Sequence, residues 1–230
     1  MTEIGENIWL FEGAAVPFFT LPYTTRMTVI RLPGNQLWVH SPIELTPELS
    51  QQVEQLGSVT YLISPNPLHH LFIQAWQDRY PEALTFGTKA LQQKRPEICF
   101  EGIFTPHFNA PWAEDIAQLL FTGSPAMEEC VFFHKPSATL IVTDLIENFA
   151  PESFTPLKRW VASAAGILAP NGKMPLDWRL SFMFNKKQAK QHLLEILHWH
   201  PQKIVMAHGQ IITSQAESFL KRSFNWLHID

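Results

Sequence analysis

Four side chains that can ligate a metal ion follow apolar stretches of this sequence. His69 and His70 come shortly after "YLIS", Asp144 follows "TLIVT", and His208 follows "KIVMA". Each stretch has the composition of a buried strand, and residues just past strand C-termini gather at one rim of a layered sheet. Imidazole and carboxylate together suit one divalent metal, zinc first and iron as the alternative. We therefore expect His69, His70, Asp144 and His208 to converge on one metal, with Asp144 and His208 as the catalytic residues.

The local sequence predicts that the two adjacent histidines lie in the first turn of a helix. Asn66 is a suitable N-cap, Pro67 fits the first helical position, and Pro81 lies beyond the end of the pattern. A helix dipole disfavours the protonated imidazole at such a position. Both histidines are therefore expected to be neutral and able to ligate.

Purely structural roles for these residues stay open. The chain has ten histidines, so some fall at strand ends by chance, and Asp144 could instead cap a turn or a helix. His40, in "WVHSPI", is a candidate to hydrogen-bond to a metal ligand and hold that ligand in position. Ser41 and Asn66 could line the same pocket and supply hydrogen bonds to a bound molecule.

The order of the predicted elements places these residues between two sheets. Strands, a helix over 46–57, the strand "VTYLIS" and a helix over 66–81 fill the first half, and strands followed by helices fill the second. This order predicts an α/β protein, an αββα sandwich of two packed mixed sheets with helices outside. Residues 1–230 are interpreted as a single domain with two pseudo-related halves, about 1–104 and 112–230.

Composition and charge argue against several classes of protein. Of the 230 residues 46% are hydrophobic, which is ample for a core, and the net charge is -4. The absence of a Lys/Arg block argues against nucleic acid and against an anionic membrane surface as partners. No stretch reaches the roughly 18 apolar residues of a membrane span, and the N-terminus lacks the pattern of a signal peptide.

The two cysteines, Cys99 and Cys130, belong to no CxxC pair and favour reduced thiols. We expect a cytoplasmic protein whose partner is a small-molecule substrate or ligand. The oligomeric state is not indicated by any pattern.

Four segments resemble the metallo-β-lactamase superfamily and, within it, the DUF4336 group. They are "VHSPIELT", "SPNPLHHLF", "FFHKPSATLIVTDLI" and "MAHGQII". The resemblance covers nearly the whole chain and implies an αββα sandwich with, usually, a one- or two-metal hydrolase or oxidoreductase site.

The metal motif of that superfamily, H-x-H-x-D-H, is altered at residues 65–70. Prolines occupy the positions of its first two histidines, at Pro65 and Pro67. His69 stands at the position of its aspartate, and His70 at the position of its last histidine. The middle histidine of the family has no counterpart in "TGSPAMEEC", whereas its bridging aspartate matches Asp144. The missing histidines all serve one metal in a binuclear relative. The resemblance therefore implies that one site is erased and that the other persists.

Two functions follow from this resemblance. The first is a mononuclear metal-dependent hydrolase acting on a small ester, thioester, amide or phosphoester. Four protein ligands would close a tetrahedral site, so catalysis would need Asp144 outside the first coordination shell or a five-coordinate metal. The alternative is a degenerate, non-catalytic protein that binds a small molecule or a partner on the same fold.

Overall fold

The computed structural model describes residues 1–18 and 21–229, and it contains two mixed β-sheets with helices. The sheets pack face to face, because one cluster of buried side chains draws members from both of them. Trp38 of the first sheet and Phe132 of the second meet edge to face, with ring centroids 4.9 Å apart. The predicted αββα arrangement is confirmed.

The first sheet takes its seven strands from the first half of the chain, in sequence order. The first four strands pair antiparallel, and the fourth to the seventh pair parallel. Their bounds are β1 Thr2–Gly5, β2 Ile8–Phe18, β3 Leu21–Leu32, β4 Gln36–His40, β5 Ser58–Ser64, β6 Leu84–Thr88 and β7 Gly102–Phe104.

The second sheet has the strand order β11-β10-β9-β8. β10 and β11 run parallel, and the other pairs run antiparallel. The bounds are β8 Ile116–Phe121, β9 Glu129–His134, β10 Thr139–Ile141 and β11 Lys203–Val205. Because β10 and β11 are parallel neighbours, the residues that follow them emerge at the same edge of the sheet.

Helices cover the outer faces of both sheets. Trp76 is a helical residue buried against the first sheet, and Leu193 and Phe219 are helical residues buried against the second. Burying side chains of this size stabilises the fold by roughly 2–3 kcal/mol each. The bounds are α1 Pro47–Glu54, α2 Ile73–Arg79, α3 Lys89–Lys94, α4 Pro156–Ala165, α5 Leu176–Ser181, α6 Lys186–His198 and α7 Ala216–Ser223. Within the described residues, no helix is both long enough and apolar enough to cross a bilayer.

The helix predicted to begin at Pro67 begins at Ile73 instead. The Oδ1 atom of Asn66 accepts hydrogen bonds from the backbone N–H groups of Leu68 and His69, at 2.8 and 3.1 Å. The hydroxyl of Ser64 donates to the carbonyl of His69 at 2.8 Å. These side-chain bonds hold residues 66–72 in turns that compete with a helical turn. The prediction that the two histidines lie in the first turn of a helix was therefore wrong, and with it the argument from the helix dipole.

Candidate metal centre

Three strand ends from the two sheets deliver three of the predicted ligands to one place. His69 follows β5 of the first sheet, whereas Asp144 and His208 follow the parallel strands β10 and β11 of the second. A hydrogen bond of 2.8 Å from the Cys130 amide to the Pro65 carbonyl joins the end of β5 to the start of β9. The cluster therefore lies where the edges of the two sheets meet.

The donor atoms of these three residues have the spacing of a metal-binding group. Nε2 of His69 lies 3.4 Å from Oδ2 of Asp144, and Nε2 of His208 lies 3.2 Å from Oδ1. All three donors lie within 4.8 Å of one another. Ligands about 2.1 Å from a tetrahedral metal are separated by roughly 3.4 Å, so this donor set fits a metal ion.

Both imidazoles are oriented through their other ring nitrogen. Nδ1 of His208 donates to the carbonyl of Thr24 at 2.7 Å, and Nδ1 of His69 contacts the hydroxyl of Ser41. Ser41 has a left-handed backbone, with φ of 54°, which is uncommon outside glycine. In metal sites a partner of this kind fixes the ring and its tautomer. Here it leaves Nε2 of each ring directed at Asp144.

Asp144 is held by a buried polar network centred on Asn66. The amide Nδ2 of Asn66 donates to Oδ2 of Asp144 at 2.8 Å, to the Thr143 hydroxyl at 2.9 Å and to Glu129 at 3.2 Å. Glu129 in turn accepts from the backbone N–H groups of residues 143–145, at 2.7 to 3.1 Å. Asn66 thus joins the His69 turn to the Asp144 turn.

The carboxylate of Asp144 and the imidazoles beside it shift each other's pKa values. Burial acts to raise the pKa of Asp144, but the charge of His69 and the hydrogen bonds of both imidazoles hold it well below its usual range. Burial acts to lower the pKa of His208, but the hydrogen bond and charge of Asp144 raise it above its ordinary value. Asp144 is therefore ionised and able to ligate a cation.

The structure does not bring His70 into this group. Its Nδ1 accepts a 2.7 Å hydrogen bond from the guanidinium of Arg95. Burial, with the charges of Lys94 and Arg95, lowers the pKa of His70 to about 4. The expected four-residue convergence was wrong because neighbouring side chains in a turn leave the backbone in different directions. His70 lines the adjoining cavity instead.

His40 lies in the core between the sheets. Its ring stacks on Trp38 with centroids 5.4 Å apart and meets Phe132 edge to face at 5.5 Å. Its Nε2 has no hydrogen-bond partner among the described residues. Burial and, to a smaller extent, the charge of His69 hold the pKa of His40 well below its usual range.

Two acidic residues near the cluster were not identified from the sequence. Glu129 and Glu147 are buried, and Tyr23 donates a hydrogen bond to Glu147 at 3.3 Å. Burial is the main cause that raises the pKa of Glu147 to about 8; the charge of Asp144 adds to it and that of His208 opposes it. A signal was present in the sequence in both cases, because Glu129 directly precedes the apolar run "CVFF" and Glu147 directly follows the apolar pair "LI".

A cavity of about 240 Å³ opens onto the cluster. Its walls are mostly apolar, and Ser41, His69, His70, Asp144 and His208 also face it. Lys94 contributes a cationic side chain to its lining, with Nζ donating to the Pro67 carbonyl at 2.8 Å. The arrangement can hold a small, largely apolar molecule next to a bound cation.

Comparison with solved structures shows the fold. Metallo-β-lactamases from Hirschia baltica and Erythrobacter litoralis superpose with TM-scores of 0.66 and 0.67, at 12% and 10% identity. The alignments cover 98% and 99% of this chain and 96% and 95% of those chains. The metallo-β-lactamase FIM-1 from Pseudomonas aeruginosa, in its mono-zinc form, has a TM-score of 0.65 at 10% identity, covering 99% of this chain and 93% of its own.

No curated protein matches the sequence. A family model described as a domain of unknown function, DUF4336, matches residues 5–157. Since this match spans more than half of the chain, and the fold agrees with it, the chain belongs to the DUF4336 family and has the metallo-β-lactamase fold.

Proposed function

We propose that this protein is a hydrolase dependent on one divalent metal, zinc, held by His69, Asp144 and His208. The observation that carries the proposal is the convergence of the donor atoms of these three residues. Both imidazoles are already oriented through Nδ1, that of His69 by the Ser41 hydroxyl and that of His208 by the Thr24 carbonyl. Three protein ligands leave a coordination position open, as catalytic zinc sites require. Four protein ligands would have filled a tetrahedral zinc site and left no position for a water molecule, whereas three do not.

The chain's own residues would position and activate a water molecule. Bound zinc lowers the pKa of a coordinated water to about 7. One oxygen of Asp144 would be sufficient to ligate, and its other oxygen would accept a hydrogen bond from the bound water and so orient it. Asn66 holds that carboxylate in place from the buried side. The apolar cavity wall limits the access of other water.

The cavity suggests the kind of substrate. We favour a small ester, thioester, amide or phosphoester with an apolar body, because aliphatic and aromatic side chains form most of the wall. Lys94 would attract an anionic group on the substrate, since two of its ammonium protons are left after the bond to Pro67. A reducing, cytoplasmic location is part of this proposal and is supported by the free thiols of Cys99 and Cys130.

The experiment compares neighbouring histidines as matched variants. Wild type, His69→Ala, His70→Ala and His208→Ala are purified without added metal, dialysed against zinc and measured for metal content and for turnover of a hydrolase panel. Wild type and His70→Ala should each hold about one zinc per chain. His69→Ala and His208→Ala should lose the zinc and the turnover, because each removes one of three donors.

Two results would contradict the proposal. One is zinc retained at wild-type level in both His69→Ala and His208→Ala. The other is a wild type that holds no zinc at a large excess of metal. Thermal melting of every variant separates loss of a ligand from loss of the fold.

A second candidate, a non-catalytic binding protein, is favoured by one observation. Asp144 contacts both imidazoles and also accepts a hydrogen bond from Asn66, so hydrogen bonds alone can satisfy the cluster. On this hypothesis the cavity holds a small molecule without metal chemistry. A metal-free wild type with an unchanged melting temperature on zinc addition would favour it.

A further inference from the structure

The basic residues of this chain are concentrated in one segment. Residues 156–190 contain seven lysines and arginines and one acidic residue, Asp177. The whole chain has 17 basic and 21 acidic residues, so the rest of it carries twice as many acidic as basic side chains. The segment is strongly cationic although the protein as a whole is anionic.

The first helix of this segment turns an apolar face outward. Leu157, Trp160 and Val161 of α4 are 76%, 71% and 51% exposed. Their spacing places them on one side of the helix, whereas Ala162 is buried in a small core cluster with Phe149. Helix α4 is therefore apolar on both its buried and its exposed side.

The second apolar face belongs to α5 and the turn after it. Leu180, Met183 and Phe184 are 56%, 58% and 90% exposed, while Trp178 and Phe182 anchor the element in the core. Arg179 precedes these residues, and Lys186 and Lys187 follow them. The exposed apolar side chains thus lie directly between basic ones.

The two elements that carry these faces are anchored on one stretch of the chain. The Phe149 amide donates to the carbonyl of Ile167, just past α4, at 2.8 Å. The Glu147 amide donates to the carbonyl of Lys173, just before α5, at 3.1 Å. One extended stretch, residues 147–149, therefore anchors the end of α4 and the approach to α5. We call the exposed faces of α4 and of residues 176–184, with their flanking basic residues, the amphiphilic surface.

We infer that the amphiphilic surface binds the surface of an anionic lipid bilayer. Exposed Trp, Phe and Leu side chains bury favourably among lipid headgroups and upper acyl chains, and Lys and Arg stems extend their charges to anionic headgroups. A second copy of the chain is a poor occupant, because two such cationic surfaces repel each other. A bilayer also accepts protruding side chains such as Phe184 without a complementary pocket.

This inference departs from the expectation, drawn from the absence of a Lys/Arg block, that a membrane is not a partner. A search for a continuous block misses basic residues that are spread along a segment, whereas binding depends on the charges that one surface carries. The inference is independent of hydrolysis at the metal centre.

The test is sedimentation with vesicles. The chain of 230 residues is mixed with vesicles of phosphatidylcholine alone, or of phosphatidylcholine with about a third phosphatidylglycerol, at low and at high salt. Binding to the anionic vesicles is expected to exceed binding to the neutral ones by at least tenfold, and to weaken as salt rises. Equal partition into both kinds of vesicle, or none into either, would overturn the inference.

Variants separate the two contributions. Lys186→Glu with Lys187→Glu should weaken binding at least tenfold, and the fold should survive because acidic residues suit the start of α6. Leu180→Ser with Phe184→Ser should weaken binding about tenfold through lost apolar burial. Circular dichroism and melting establish that each variant is folded.

The matched control is Lys89→Glu with Lys221→Glu, which makes the same charge change in α3 and α7. It should bind like wild type, and an equal loss would show that net charge alone is responsible. Tight binding to a short nucleic acid that Phe184→Ser leaves unchanged would assign the surface to nucleic acid instead. A dimer in analytical ultracentrifugation that the Leu180/Phe184 variant dissolves would assign it to self-association.

Discussion

Replacing Asn66 with alanine removes the side chain that connects the two sheets beneath the candidate metal centre. The side chain is fully buried, and its amide and carbonyl groups together make five hydrogen bonds. Three are donated to acceptors beyond residue 128, and two are accepted from the turn that carries His69. The variant therefore disturbs the positions of two proposed ligands at once.

The magnitude follows from the groups left without a partner. A buried acceptor that loses its donor costs about 1–3 kcal/mol, and more when it is charged. Asp144 loses the amide donor to its Oδ2, whereas Glu129 keeps its three backbone donors, so the costs are unequal. A total of roughly 3–5 kcal/mol of unfolding free energy is expected, which for a chain of this size lowers the melting temperature by about 10 °C.

The assay is urea unfolding and thermal melting of Asn66→Ala, with Asn109→Ala at an exposed position as the control. Zinc titration of the same samples adds a second readout, because loss of a group that supports a ligand weakens metal binding by about 10- to 100-fold. A variant that melts within about 3 °C of wild type, or that binds zinc equally well, would refute the reasoning that Asn66 organises this site.

Three further predictions rest on other parts of the fold. Glu129→Gln should lower the unfolding free energy by roughly 2–4 kcal/mol in urea titration, because its amide N–H₂ would face backbone N–H donors. The control Glu128→Gln should lower the unfolding free energy by under about 1 kcal/mol. Burial lowers the pKa of His134 to about 4 in the folded protein, whereas the same side chain has a pKa of about 6.5 in the unfolded chain. Between these two pH values the unfolded chain binds a proton that the folded protein does not bind. Stability should therefore fall from pH 7 to pH 5, by roughly 1–2 kcal/mol more in wild type than in His134→Asn, and equal pH dependence would contradict this. Gly209→Ala should lower the unfolding free energy by roughly 2–3 kcal/mol in urea titration, because φ of residue 209 is +89° and the new Cβ would lie 2.2 Å from the Asn148 carbonyl oxygen. An unfolding free energy equal to that of wild type would contradict this prediction.

Much of the fold and part of the site follow from local sequence patterns. Apolar runs such as "YLIS" and "KIVMA" predict strands because burial on a sheet selects their composition. Their order predicts two packed sheets, and polar residues at their ends predict where ligands collect. His69, Asp144 and His208 were identified in this way, and they converge in the structure. The helix α5 was missed, since "PLDWRLS" is short and follows a Pro/Gly-rich stretch.

Only the tertiary structure separates His69 from His70. As neighbours in sequence they are equivalent candidates, but the turn built by Asn66 and Ser64 directs one ring at Asp144, while Arg95 binds the other. The contacts of His69 with Asp144 and of His70 with Arg95 join residues far apart in the chain, so no local pattern contains them. The sequence by itself determined which residues stand at strand ends. Long-range hydrogen bonds between buried polar groups decided which of them face one another, because each such group must find a partner inside the fold.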